Sequence, residues 1–191
     1  PGPMLFDGIG RTDWLTPSTL CIDVPKVEQR SRNTQAHLIV THAPNHRTVK
    51  GTEQIIEVVE KLIKEGAPLE LRLLEKKSNQ EIIKVLAEES DIHIDQLHFS
   101  GYAMNALESM SLGVPTIGNF SGELRDFFDC WSFTAECPLV IANSETLRDV
   151  LLRLIENRSE LRSISEKSVR YVKTYHSSET FAKNFSQVVQ K

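Results

Sequence analysis

Ser100-Gly101-Tyr102-Ala103-Met104-Asn105-Ala106-Leu107-Glu108-Ser109-Met110-Ser111-Leu112-Gly113-Val114-Pro115-Thr116-Ile117 passes from a loop to a helix, a glycine stop and a new strand. The pattern predicts a helix over residues 101–112, closed by Gly113 and Pro115, and a strand over 115–118. Gly101 leaves room for close backbone approach, and the first amides of a helix have no acceptor within it. Such a start attracts an anion, for example a diphosphate. Glu108 lies about two turns further on, among Ala106, Leu107, Met110 and Leu112. A carboxylate there must face solvent or have a partner. Ribose hydroxyls suit it as partners, and a helix with one polar face accounts for it equally well.

Outward from this stretch the chain alternates between two periods. Residues 37–41 are a short Leu, Ile and Val run, as expected of a strand buried on both faces. A helix follows with Ile55, Val58, Val59, Leu62 and Ile63 at three- and four-residue spacing, and Gly66 ends it. Residues 69–74 form a second strand, Ser78 with Glu81 a capping box opening a helix to about Glu89, and residues 91–97 a third strand. Beyond the central stretch come a short helix over 122–128 and a strand over 139–142. A helix capped by Ser144 then runs to about Glu156, and helices over 160–175 and 179–189 complete the chain. This order predicts an α/β fold, a Rossmann-like doubly wound parallel sheet with helices on both faces. Ligands of such sheets bind beyond the carboxyl ends of the strands, which singles out the loops after His42, Leu74, Leu97 and Gly118.

The 191 residues suffice for one sizeable core, and 40% apolar with 25% charged residues is the balance of an ordinary globular protein. A formal charge of -4 argues against general nucleic-acid binding. No window approaches eighteen consecutive apolar residues and no leader is recognisable, so the expected location is cytoplasmic or peripheral to the membrane. Cys21, Cys130 and Cys137 lack zinc or redox spacing and read as reduced thiols. Residues 1–3 are expected to be an expression remnant. Residues 4–36 are expected to be an ordered lead-in or interdomain segment with Trp14 and Leu15 as anchors and a polar join over 29–35. Residues 37–191 form the main domain.

The loop His42-Ala43-Pro44-Asn45-His46-Arg47-Thr48-Val49-Lys50-Gly51 places two cations beside a helix start at the end of the first strand. Arg47 offers a fork of donors to a diphosphate and Lys50 a compact charge. The alternative is a solvated loop with exposed basic residues. His42 and His46 are not a metal pair, because Pro44 and Asn45 keep their spacing off a helix and no further ligand follows. His37, His93 and His98 read as satisfied strand or loop residues. No metal is expected.

Residues 37–191 resemble the C-terminal, donor-binding domain of GT-B fold glycosyltransferases, the large retaining group labelled glycosyl transferases group 1. The resemblance rests on Lys50-Gly51 after the first strand, Ser100-Gly101-Tyr102-Ala103, Glu108-Ser109-Met110-Ser111, and Gly113-Val114-Pro115-Thr116-Ile117. It implies that Lys50 and Arg47 carry the catalytic role of neutralising the donor diphosphate. The amides of Gly101, Tyr102 and Ala103 are then expected to close on that diphosphate and Glu108 to hold the nucleotide ribose. Ser100 stands where the family usually has a glutamate that contacts the donor sugar, so the sugar stays open. The resemblance further implies a nucleoside-diphosphate sugar as donor, no cofactor and no metal. A complete enzyme of this kind has a second, acceptor-binding N-terminal domain, for which this chain lacks the length. The chain alone is therefore expected to be inactive, with a membrane-associated acceptor as one partner of the whole enzyme. The last helix is expected to cross toward the other domain, leaving Phe181, Phe185 and Val188 to be covered. Two other functions fit the same residues. One is a noncatalytic nucleotide or nucleotide-sugar binding module; the other is a GT-B sugar-nucleotide epimerase, which needs carboxylates and histidines from both domains.

Overall fold

The computed structural model describes residues 20–23, 37–120 and 136–189, apart from the side chains of residues 184, 185 and 187–189. Trp14, Leu15, the polar join over 29–35, the helix expected over 122–128 and Cys130 lie outside the described residues, as do the side chains of Phe185 and Val188.

Five parallel strands form one sheet in the order β2-β1-β3-β4-β5. They are β1 (Leu38–His42), β2 (Leu69–Leu73), β3 (Ile92–Gln96), β4 (Thr116–Gly118) and β5 (Val140–Ile141). In register, Leu38 lies beside Leu69, Val40 beside Ile92, and Ile94 beside Ile117. Strand β3 is buried along its whole length, as a central parallel strand covered by helices on both faces must be. The chain reverses its direction of travel across the sheet between β1 and β3. Their carboxyl ends therefore flank a crevice.

Helix α1 (Arg47–Lys50) and α2 (Thr52–Lys64) follow β1, with Gly51 between them. Gly51 has φ 73°, and a Cβ there would stand 3.1 Å from the His98 ring and 3.2 Å from Leu97 Cβ. Left-handed backbone and crowding together call for glycine. Ile55, Val59 and Leu62 of α2 reach one core with β1, β3 and Leu147, Leu151 and Leu154 of α5 (Leu147–Glu156). On the other side of the sheet, Ala106, Leu107 and Met110 of α4 (Met104–Ser111) pack with Tyr102, Phe120, Leu139 and with Tyr171 and Val172 of α6 (Arg158–Tyr175). Leu86 of α3 (Asn79–Glu88) closes a smaller cluster with Leu112 and Val114. Helix α7 (Ser178–Val189) ends the described chain.

Three helix starts differ by two residues or more from the sequence-based expectation. Helix α4 begins at Met104 and not at Gly101, because Gly101 has φ 119° and its peptide is bonded elsewhere: its amide donates to Asn119 O at 2.8 Å and its carbonyl accepts from Gln96 Nε2 at 2.7 Å. Helix α5 begins at Leu147 with Thr146 as its flanking residue, so Ser144 is not the cap. The Asn143 side chain accepts from the amides of Glu145 and Thr146 and holds that turn off the helix. Helix α6 starts at Arg158, with Asn157 accepting from the Glu160 amide. The capping box at Ser78 forms in both directions, as expected.

Part of the lead-in segment is anchored. The Ile22 amide donates to His176 O at 2.9 Å, Ile22 bridges Ser177, and Ile22 is buried.

Candidate functional site

Buried polar side chains gather where β1 and β3 end. Lys50, the last residue of α1, turns inward: its Nζ donates to Asp95 Oδ1 at 2.6 Å and to Gln96 Oε1 at 2.9 Å. The side chains of Lys50 and Asp95 are only 7% and 2% exposed. The other oxygen of Asp95 accepts from the Ala103 amide at 3.3 Å, and Gln96 Nε2 donates to the carbonyls of Gly101 and Phe99. Asp95 and Gln96 thus connect the loop after β1 to the turn before α4. Asn119, beyond β4, joins them through bonds to Leu97 O and from its own amide to Gln96 O.

Arg47 lies at the solvent edge of the same loop. Its guanidinium donates to Glu53 at 2.8 Å and to Glu75, on the loop after β2, at 2.7 Å. The bond from Arg47 holds the Glu53 carboxyl below its usual range. His42 sits beneath. A carbonyl can only accept, so His42 Nδ1 donates to Ile94 O at 2.7 Å, and Nε2 accepts from Thr52 Oγ1 at 2.9 Å. Burial pushes its pKa down to about 4, so it is neutral at pH 7 and both ring nitrogens are spent on structure.

Of the residues expected in the site, Lys50, Gly101 and Ala103 come together through Asp95 and Gln96. The amides of Gly101 and Ala103 are each bonded within the chain, to Asn119 and Asp95. The Tyr102 side chain points into the core behind α4. His176 Nδ1 donates to Leu20 O at 2.7 Å, which leaves Nε2 to accept from Tyr102 at 3.1 Å, and Tyr171 stands 3.0 Å from the same phenol oxygen. Burial lowers His176 to about 4 and raises the Tyr102 phenol. Ser100 is half-buried on the turn after β3. Glu108 is half-buried on α4, and its Oε1 accepts from Asn79 Nδ2 at 2.9 Å. Among the described residues, no group of three or more His, Cys, Asp or Glu is placed to hold a metal ion.

The sequence does not single out Asp95, Gln96, Asn79 or Asn119. A trace of Asp95 and Gln96 is visible there, since a carboxylate and an amide end an otherwise apolar strand and need partners. Asn79 beside a capping box carries no such signal.

The chain has the fold of the C-terminal domain of GT-B glycosyltransferases, the class of the solved structures it resembles. A mutant of S. aureus TarM, solved with fondaparinux, alpha-GlcNAc-glycerol and UDP, aligns with a TM-score of 0.66 at 14% identity, over 90% of this chain and 38% of that one. Sucrose-phosphate synthase from Thermosynechococcus elongatus aligns at 0.65 and 13% identity, over 91% of this chain and 51% of that one. The C-terminal domain of the group 1 glycosyl transferase LpcC from Francisella tularensis aligns at 0.54 and 14% identity, over 80% of this chain and 97% of that domain. The chain therefore spans about two fifths of TarM and nearly the whole LpcC domain. No family model matches the sequence, and no curated protein sequence does.

Proposed function

We propose that this chain is the donor-binding domain of a glycosyltransferase that moves a sugar from a nucleoside-diphosphate donor to an acceptor in glycan or glycolipid synthesis. The observation that carries the reading is the meeting of Lys50, the turn at Gly101 to Ala103 and the start of α4 at the carboxyl ends of β1 and β3. In an open parallel sheet that crevice is where ligands bind. Glu108 lies further along α4, with one carboxylate oxygen bonded to Asn79 and the other left to meet a ribose hydroxyl.

The chemistry is electrostatic. As the bond between the anomeric carbon and the phosphate oxygen breaks, negative charge gathers on the departing diphosphate. Donors already placed there stabilise it more than they stabilise the bound substrate. The Lys50 ammonium and the first amides of α4, which have no acceptor within the helix, are suited to this role, and Arg47 adds charge at the rim. The scheme requires no metal. A hydroxyl at Ser100, where the related enzymes usually carry a glutamate, bears on which sugar is taken.

The buried pairing of Lys50 with Asp95 favours a second reading, a noncatalytic nucleotide-binding module, because the cation is already compensated. A two-domain protein containing this chain, incubated with UDP-, GDP- and ADP-sugars, separates the two. Transfer or hydrolysis of sugar from any donor supports the transferase. Nucleotide binding with neither supports the module.

A further inference from the structure

Both cations assigned above to a diphosphate are already matched to carboxylates of the chain itself. Arg47 is shared by Glu53 and Glu75, and Lys50 is held by Asp95. The two arrangements differ in kind. The Arg47 side chain is 40% exposed, so water screens its pairs and a ligand exchanges for them at little cost. Lys50 and Asp95 are shielded from water, so their attraction is far less screened.

Asp95 also does more than balance one charge. Its Oδ1 accepts from the ammonium and its Oδ2 from the Ala103 amide, so a single carboxylate spans donors from both sides of the crevice. An amide has one hydrogen to give. While Asp95 holds that of Ala103, a phosphate oxygen does not. Gln96 is neutral and does not compete in this way: it accepts from Lys50 and donates to Gly101 O. Glu53, Glu75 and Asp95 together outnumber Arg47 and Lys50, so these groups leave no surplus of positive charge at the crevice.

We propose that Asp95 is an internal substitute for the ligand's phosphate, holding the Lys50 ammonium and the Ala103 amide until a diphosphate displaces it. Asp95 thereby sets the affinity of the site and selects ligands by charge. A diphosphate brings enough negative charge to replace the carboxylate, whereas a nucleoside brings none. This inference rests on the donor-site reading given above.

The test is calorimetric titration of the full chain and of Asp95→Asn with UDP, GDP and ADP, with uridine, guanosine and adenosine as controls. Asparagine keeps the shape and an acceptor for Lys50 while removing the charge. The expected result is diphosphate binding tighter by about tenfold or more in Asp95→Asn, with nucleoside binding unchanged. Binding by the variant alone supports the proposal as well. Equal or weaker diphosphate binding by the variant, where the native chain binds, overturns the proposal and leaves the donor-site reading standing. No binding by either protein overturns both. Should Asp95→Asn fail to fold, NMR of the native chain decides. Added diphosphate must shift the Ala103 amide and the Asp95 carboxylate carbon together; binding that moves neither, or no binding at all, overturns the proposal.

Discussion

Lys50 is a cation inside the protein, and its surroundings explain how it is tolerated. Removing a charge from water costs several kcal/mol unless a counter-charge and hydrogen bonds replace the lost hydration. Asp95 and Gln96 supply them at 2.6 and 2.9 Å. Lys50→Ala should therefore do two things. It should leave Asp95 buried without its partner and lower stability by about 3–5 kcal/mol, read from urea unfolding. It should also weaken binding of nucleoside diphosphates, read by calorimetry; unchanged affinity would remove Lys50 from the site. The lysine was legible in the sequence because it ends a basic loop, is followed by a glycine and belongs to a recognisable pattern. Asp95 was not. Its partner lies 45 residues away, and nothing local tells which cation a carboxylate on a strand will meet. Tyr102 illustrates the same limit from the other side: its place in the pattern is plain, but its phenol is used by His176 and Tyr171, contributed by the far end of the chain.

The elements were more legible than the side-chain partners, because their signals are local. Helix α2 shows its buried face in the spacing of Ile55, Val59 and Leu62, and α3 announces its start through Ser78 and Glu81. Ser78→Ala removes an acceptor from the first turn of α3 and should cost about 1 kcal/mol in chemical unfolding. No loss of stability would mean that the box contributes nothing in the folded chain. The sequence pattern puts the start of α4 three residues early, for a tertiary reason. Gly101 is fixed by Asn119 and Gln96, which come from the ends of β4 and β3, so the helix can begin only after the turn they hold. At Ser144 a neighbouring asparagine won the competition for the same amides.

Over the whole molecule, the five-stranded parallel sheet follows from the alternation of strand and helix along the sequence, and its crevice between β1 and β3 follows from the strand order. The buried polar groups add a property that the pattern does not reveal. His42, His93 and His176 are buried, and desolvation lowers them to about 4, 3 and 4. A histidine in the unfolded chain titrates at about 6.5, so between that pH and the folded values the unfolded state binds more protons. Their stabilising contribution is complete above about pH 6.5 and is lost as the pH falls toward 4. Thermal midpoints should be level from pH 7 to 8 and fall steeply from pH 6 to 4.5. A flat profile over that acid range would contradict the neutral, buried state of these rings.

In the donor-site reading, the crevice formed by Lys50, the turn at Gly101 and helix α4 receives the diphosphate of a nucleotide. A thermal-shift titration of the chain with UDP, GDP, ADP and their sugars, each beside its parent nucleoside, tests it most directly, because a ligand that binds only the folded state raises its apparent stability. A saturable rise is expected for at least one nucleoside diphosphate, larger than for its nucleoside and reduced in Lys50→Ala relative to that variant's own baseline. No rise with any nucleotide, in the native chain and in Asp95→Asn alike, would contradict it.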